Sequence, residues 1–384
     1  MELPKTAEVV IVGGGVMGVS TAYHLARRGV RDVVLLEREA FLGHGSTGRC
    51  AGGVRYQFAT EVNIRLSLVS IPMLEHFREE VGIDAGYRPV GYLFLLTREE
   101  DVKAFRHNVD LQRRLGVQTE WLSGDEVRRR LPFMRLDDVI AGTFHAKDGL
   151  ADPHSVVQGY AQAARRMGVR ILTDTEVTGI HVEGGRVRGV ETNRGSVDAP
   201  IVVNAAGPWA GVVGKMAGVE IPVTPLRRQW LTTTPLPDLP PDFPFVIDFA
   251  QALYFHPEGK GVLTGMSNPN EKPGFDTSVD PEWELVHMEA AMARMPMLAQ
   301  AGVMSRVAGL YEVTPDAHPI FGATPVEGFY VCAGFSGHGF MHGPVAGLLM
   351  AEILLDGQAH TVDVSMLDLA RFQEDRLIRE YNVV

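Results

Sequence analysis

The run Gly13-Gly14-Gly15-Val16-Met17-Gly18 lies between a strand-like tetrapeptide and a segment with helical periodicity, and it narrows the fold more than any other feature of the chain. Val9–Val12 reads as a short buried strand. Residues 16–28 follow with Met17, Thr21 and Leu25 at helical spacing and Gly29 as the stop. Val33–Leu36 reads as a second buried strand, completing a βαβ unit of roughly 30 residues. In such a unit Gly13 makes the tight turn, Gly15 lets backbone approach a pyrophosphate, and Gly18 lets helix and strand pack closely. The helix start at Val16 and Met17 presents free N–H groups and a positive dipole end to the phosphate. Glu37, 19 residues past Gly18, ends the second strand, with Arg38 beside it. A carboxylate there suits adenosine ribose hydroxyls and repels a 2′-phosphate. A dinucleotide site is therefore expected.

The following loop separates flavin from nicotinamide. Residues 43–54 read GHGSTGRCAGGV, a long stretch nearly bare of large side chains. Nicotinamide-binding folds usually enter the next helix directly at this point, whereas a bare loop lets backbone lie against a large planar ligand.

At 384 residues the chain exceeds the size at which one core stops growing, so two lobes are expected. The formal charge of −11 and the lack of a Lys/Arg block argue against nucleic acid or an anionic membrane as partner. Two cysteines, Cys50 and Cys332, make neither a disulfide framework nor a zinc site, and the 13 histidines show no HExxH spacing, so no metal is expected. No run of about 18 apolar residues predicts a membrane span. Residues 1–8 do not read as a signal peptide, so a cytoplasmic location is expected.

Further along, helices are expected at 61–81, 99–115, 153–167 (Asp152 as N-cap, Pro153 in the first position), 281–295 and 344–355. Strands are expected at 91–97, 169–172, 175–182, 186–192, 196–198, 201–204, 229–233, 252–256, 261–266 and 329–332. Nucleotide-type segments lie at both ends and in the middle. The expected class is α/β (α+β): a Rossmann-like FAD-binding domain built from 1–85, 145–215 and 306–384, with an antiparallel-sheet substrate domain inserted as 86–144 and 216–305.

Three segments carry a family resemblance: GSTGRCAGGVR (45–55), VVNAAGPW (202–209) and AGLYEVTPDAHPIFGATPVEGFYVCAGFSGHG (308–339). With the N-terminal motif they resemble the D-amino-acid oxidase/sarcosine oxidase superfamily of FAD enzymes, most closely sarcosine oxidases and the catalytic subunits of sarcosine and proline dehydrogenases. The resemblance implies that Glu37 binds ribose and that Gly45, Ser46 and Thr47 lie near the pyrophosphate. It further implies that Arg49, Cys50, Ala51, Gly52 and Gly53 run beside the flavin, and that Val177 holds the adenine through its backbone. Ala206, Gly207 and Trp209 would close the far side. Gly309 and Tyr311 belong to the terminal motif, and Gly337, His338, Gly339, Phe340 and Met341 would reach the pyrimidine end of the flavin. There the N-terminus of a helix starting near Gly343-Pro344 would face charge developing on reduction.

The chain departs from the family at two places. Gly309 stands where covalent sarcosine oxidases carry the flavin-linking cysteine, so FAD is expected to be non-covalent. Met341 stands where monomeric sarcosine oxidases carry a substrate-binding lysine. Arg55 is then the expected carboxylate anchor, through paired hydrogen bonds. Tyr254 and His256 are expected to divide between the faces of their strand, with Tyr254 toward the cofactor. His338, in a glycine-rich turn, is read as a contact for flavin or substrate. The resemblance implies oxidation of a small secondary amino acid such as sarcosine or proline by hydride transfer to flavin N5, giving an imine that hydrolyses. Reoxidation by O2 would give H2O2. Strand 261–266 has no lysine over the flavin and Lys260 falls in the turn, so transfer to an electron carrier is the alternative, with a non-catalytic flavoprotein subunit as a third reading. Assembly as a homo-oligomer or with a partner subunit is left open.

Overall fold

Val9–Val12 pairs in parallel with Val33–Leu36 on one side and Ile201–Asn204 on the other. In this computed structural model, which describes residues 2–383, that trio is the middle of a six-stranded sheet. The order is Ile320–Ala323, Phe329–Ala333, Ile201–Asn204, Val9–Val12, Val33–Leu36, Arg170–Leu172, and only the first pair is antiparallel. The central strands are continuous apolar runs because both faces are covered. Helices Val16–Arg27, Pro153–Arg166 and Gly339–Asp356 cover one face. Helix Ala210–Met216 and the three-stranded antiparallel sheet Val177–Glu183, Arg186–Thr192, Gly195–Asp198 cover the other.

A second sheet has eight strands in the order Val303–Val313, Thr224–Thr233, Gly261–Met266, Leu253–Glu258, Phe245–Asp248, Tyr92–Leu96, Ala141–His145, Glu120–Ser123. It is antiparallel apart from the pair of Phe245–Asp248 with Tyr92–Leu96. One face packs Leu93, Val246, Leu253 and Phe255 on helix Pro281–Arg294. The other packs Tyr92, Phe94, Phe245 and Ile247 toward the first sheet's loop. Val303–Val313 pairs with Thr224–Thr233 along its length, so it runs across the 305/306 division expected between the lobes.

Two expected helices change. The single helix over 61–81 is two, Glu61–Glu75 and Phe77–Val81, broken at His76. The break turns Phe77 into the core, edge-on to Tyr160 at 4.8 Å. The last helix begins at Gly339, not Pro344, and contains the proline. Proline lacks an N–H and crowds the preceding turn, but Ser70 repairs the ladder. Its hydroxyl donates to the Met341 carbonyl at 2.6 Å and accepts from Val345 N at 3.4 Å, while Ser20 donates to the Pro344 carbonyl at 3.2 Å. The helix therefore keeps its first turn at the edge of the cavity described next.

Among the described residues, no helix is long and apolar enough to cross a membrane, and no group of three or more His, Cys, Asp or Glu side chains is placed to hold a metal. Both cysteines are free.

Candidate active site

A cavity of about 430 Å³ runs from the Gly13–Gly14–Gly15 turn to the face of the eight-stranded sheet. At its first end Gly13 adopts φ 112°, and a side chain there would collide with the Ala205 carbonyl. Glu37 is placed by the turn as well as serving it: Oε2 accepts from Gly14 N at 2.6 Å and Oε1 from Glu39 N at 2.9 Å. Burial pushes its carboxyl above the ordinary range, against the pull of those N–H groups. Arg38 lies 3.7 Å over the Trp209 ring, which stacks on Phe275. Val177 lines the same end. Gly18 does not line the cavity; it lets the helix sit against the Gly13 carbonyl, as its place in the motif requires.

The loop between the sheets is clamped. Thr47 Oγ1 accepts from Val16 N at 3.2 Å, Ser46 donates to the Leu310 carbonyl at 2.6 Å, and Arg49 donates to the Ala308 carbonyl at 2.8 Å. Trp230 returns a bond from its indole to the Arg49 carbonyl at 2.8 Å. Gly309 permits this approach, because a Cβ there would lie 2.8 Å from Arg49 Cβ. Cys50 lines the cavity as a thiol, its pKa pushed up to about 12 by burial.

Gly45, Ala51, Gly52, Gly53, Ala206, Gly207, Tyr311, Gly337, Gly339, Phe340 and Met341 all line this cavity, as do Arg55, Tyr254 and His338. The helix N-terminus that faces it is at Gly339. His338 sits at the helix cap, with Nε2 3.1 Å from the Ala317 carbonyl and Nδ1 3.3 Å from His342 Nδ1. Burial lowers its pKa to about 3, so the ring is neutral at pH 7.

The structure corrects the assignment of faces on strand Leu253–Glu258. Tyr254 and His256 are two residues apart, so they share a face, and both rings meet Phe245, at 5.6 and 5.0 Å. Only Tyr254 lines the cavity; His256 lies deeper, behind Phe245, with its pKa lowered by burial to about 4. Burial holds the Tyr254 hydroxyl in its neutral form.

Arg55 is also more occupied than expected. It is buried, its guanidinium donates to the carbonyls of Gln57 and Asn382, and it lies 3.9 Å over the Phe58 ring. It thereby holds the C-terminal segment, which Glu380 pins again by accepting from Ala59 N, Thr60 N, Thr60 Oγ1 and Asn63 Nδ2.

Sequence reasoning missed three groups on the sheet side. Arg228 and Trp230 line the cavity from strand Thr224–Thr233, and Tyr92 and Phe245 stack at 4.2 Å as another part of its wall. Glu312 lines it with its carboxyl accepting from Gly334 N at 3.0 Å, and burial raises its pKa to about 7. Strand 224–233 shows no clean alternation, and Pro222 and Pro225 obscured its start.

Comparison with known proteins places this arrangement. The chain is 33% identical over 407 residues to human mitochondrial sarcosine dehydrogenase, covering 98% of this chain and 43% of that protein. It thus spans less than half of that relative's length. It is 28% identical to sarcosine oxidase subunit beta of Rhodobacter capsulatus, covering 99% and 92% of the two chains. The crystal structure of L-proline dehydrogenase from P. horikoshii superposes with a TM-score of 0.90 at 34% identity, covering 98% of this chain and all of that one. The FAD dependent oxidoreductase (DAO) family model matches residues 8–353, and the chain belongs to that family.

Proposed function

We propose that this protein oxidises a small secondary amino acid, of the sarcosine or proline type, at the carbon next to nitrogen. One observation carries the reading: the dinucleotide cradle and a cation-bearing aromatic pocket are two ends of a single cavity. The residues present fit FAD. Two helix N-termini, at Val16 and Gly339, face the cavity, Glu37 stands at the ribose position, and glycines line the loop between them. Bound FAD would supply the acceptor for a hydride, leaving an imine that water hydrolyses.

The protein's own part is to bind, orient and desolvate. Tyr92, Phe245 and Tyr254 wall the pocket and exclude water. The guanidinium groups of Arg55 and Arg228, with partial desolvation, favour the neutral form of a bound amine over the ammonium. No side chain is assigned as an obligatory base. His338, with its pKa lowered to about 3, is suited to accepting or donating hydrogen bonds as a neutral ring.

Reoxidation by O2 would give H2O2. Transfer to an electron carrier is the second reading. It is supported by the relatives named as dehydrogenases and by the absence of lysine among the described residues that line the cavity. The test is to mix FAD-loaded protein anaerobically with sarcosine, then proline, follow the flavin absorbance near roughly 450 nm, and then admit air. Bleaching with rapid recovery and peroxide supports an oxidase, and bleaching with slow recovery supports a dehydrogenase. Absence of bleaching by any small amino acid refutes the proposal.

A further inference from the structure

Arg227 and Arg228 are adjacent on one strand, so their side chains leave opposite faces of the sheet. Arg227 is saturated: it pairs with Glu271 at 3.2 Å, Asp276 at 3.0 Å and Asp280 at 3.6 Å. Arg228 turns into the cavity and makes no ion pair among the described residues. Nη1 donates to the Arg227 carbonyl at 2.9 Å, the guanidinium carbon lies 5.1 Å from the Tyr311 ring centre, and Nε is buried with no hydrogen-bond partner. The chain has 47 acidic side chains, so a sheltered guanidinium left without a carboxylate stands out.

Its surroundings fit a small acid. Register places Arg228 opposite Gly309, and Trp230, two residues on, opposite Gly265, which is itself opposite Tyr254. Gly309 and Gly265 admit Arg49 and Tyr254 against the strand, and Trp230 and Tyr254 provide apolar walls beside the cation. Arg55 lies in the same cavity with two of its N–H groups already given to carbonyls.

We propose that Arg228 is the group that receives the substrate's carboxylate, and that Arg55 is a positioning residue which holds residues 57 and 382 around the pocket. This rests on the amino-acid reading above. The terminal nitrogens, whose one hydrogen bond among the described residues goes to the Arg227 carbonyl, offer the paired donors that a carboxylate takes from arginine.

The test uses FAD-loaded protein and two ligands of similar shape without an oxidisable amine, cyclopentanecarboxylate and cyclopentanecarboxamide. Their dissociation constants are read by calorimetry and by perturbation of the flavin spectrum. Wild type is expected to prefer the carboxylate by about 10- to 100-fold, the worth of a charge-assisted pair of bonds. Arg228→Gln is expected to bring that ratio within about threefold, Arg228→Lys to restore part of it, and Arg55→Gln, with FAD retained, to preserve it. The assignment is overturned if the preference survives in Arg228→Gln, if it collapses only in Arg55→Gln, or if Arg228→Gln loses FAD affinity with the ratio unchanged. Flavin reduction by proline or sarcosine in a protein whose preference ignores Arg228 would sink the anchor and leave the amine reading standing. A wild type that no amino acid reduces would sink the amine reading, while the ratio would still report on Arg228.

Discussion

Replacing Arg371 with leucine should be among the most damaging single changes outside the cavity. A guanidinium has five N–H donors, and here each has an acceptor. Nε meets Asp316 Oδ2 at 2.8 Å; Nη1 meets the Leu367 and Asp368 carbonyls, both at 2.8 Å; Nη2 meets Asp316 Oδ1 at 3.1 Å and the His318 carbonyl at 3.0 Å. Both side chains of the pair are 0% exposed. Arg371→Leu leaves the Asp316 carboxylate buried without its counter-charge, a loss of about 3–5 kcal/mol. The damage should reach the cavity, because Asp316 and His318 flank Ala317, held at φ 59°, whose carbonyl meets His338. Such a left-handed non-glycine residue persists only while its neighbours hold it. Thermal unfolding and retained FAD are the measurements, with Arg371→Leu/Asp316→Asn as the companion variant. The single change should lower the midpoint by on the order of 10 °C and weaken FAD retention. The double variant should recover part of the loss, because neither charge is then stranded. A single-variant loss below about 1 kcal/mol, or a double variant less stable than the single, would refute the argument.

Burial raises the Glu312 carboxyl from 4.5 to about 7, so the folded state binds the proton more tightly than the unfolded chain. Stability should therefore fall as pH rises from about 5 through 7, by at most about 3 kcal/mol, and level off above. Melting curves of Glu312→Gln should lack that fall; parallel curves for the two proteins would contradict it. A methyl group at position 53 would collide with the Tyr92 hydroxyl, so Gly53→Ala should cost about 1–3 kcal/mol and lower FAD affinity, read by fluorescence titration. Ser70→Ala strips the Met341 carbonyl and Val345 N of their shared partner and should cost about 1–3 kcal/mol; a neutral result in denaturant titration would mean that the helix closes the gap itself.

The nucleotide end of the site was legible because its determinants are local: Gly13, Gly18 and Glu37 fall within one βαβ unit, where spacing fixes geometry. The sheet end was not. Arg228 acquires its setting from its partner Gly309, 81 residues on, and from Trp230 pairing with Gly265, 35 residues on, and a proline-rich approach hid the start of its strand. The helix start at Gly339 was misplaced because Pro344 normally marks a first turn, whereas the compensating hydroxyl of Ser70 lies 271 residues from Met341 in sequence. Arg55 lines the cavity, but its engagement with Gln57 and Asn382 depends on a C-terminal segment without a periodic pattern to announce it. The strands at Glu120–Ser123 and Ala141–His145 went unread because they are short and only partly apolar.

Gly265 touches the cavity only through what it permits. A Cβ at this position would collide with the Tyr254 hydroxyl, so the ring lies across the gap the glycine leaves. The width of the pocket is thus set from the next strand over, by the absence of a side chain. A single methyl group added there would have to push the tyrosine elsewhere, altering which small ligands fit without changing any residue that lines the cavity. Pocket shape can drift at such a position while the cofactor cradle stays intact, which gives one fold a short mutational path between neighbouring substrates.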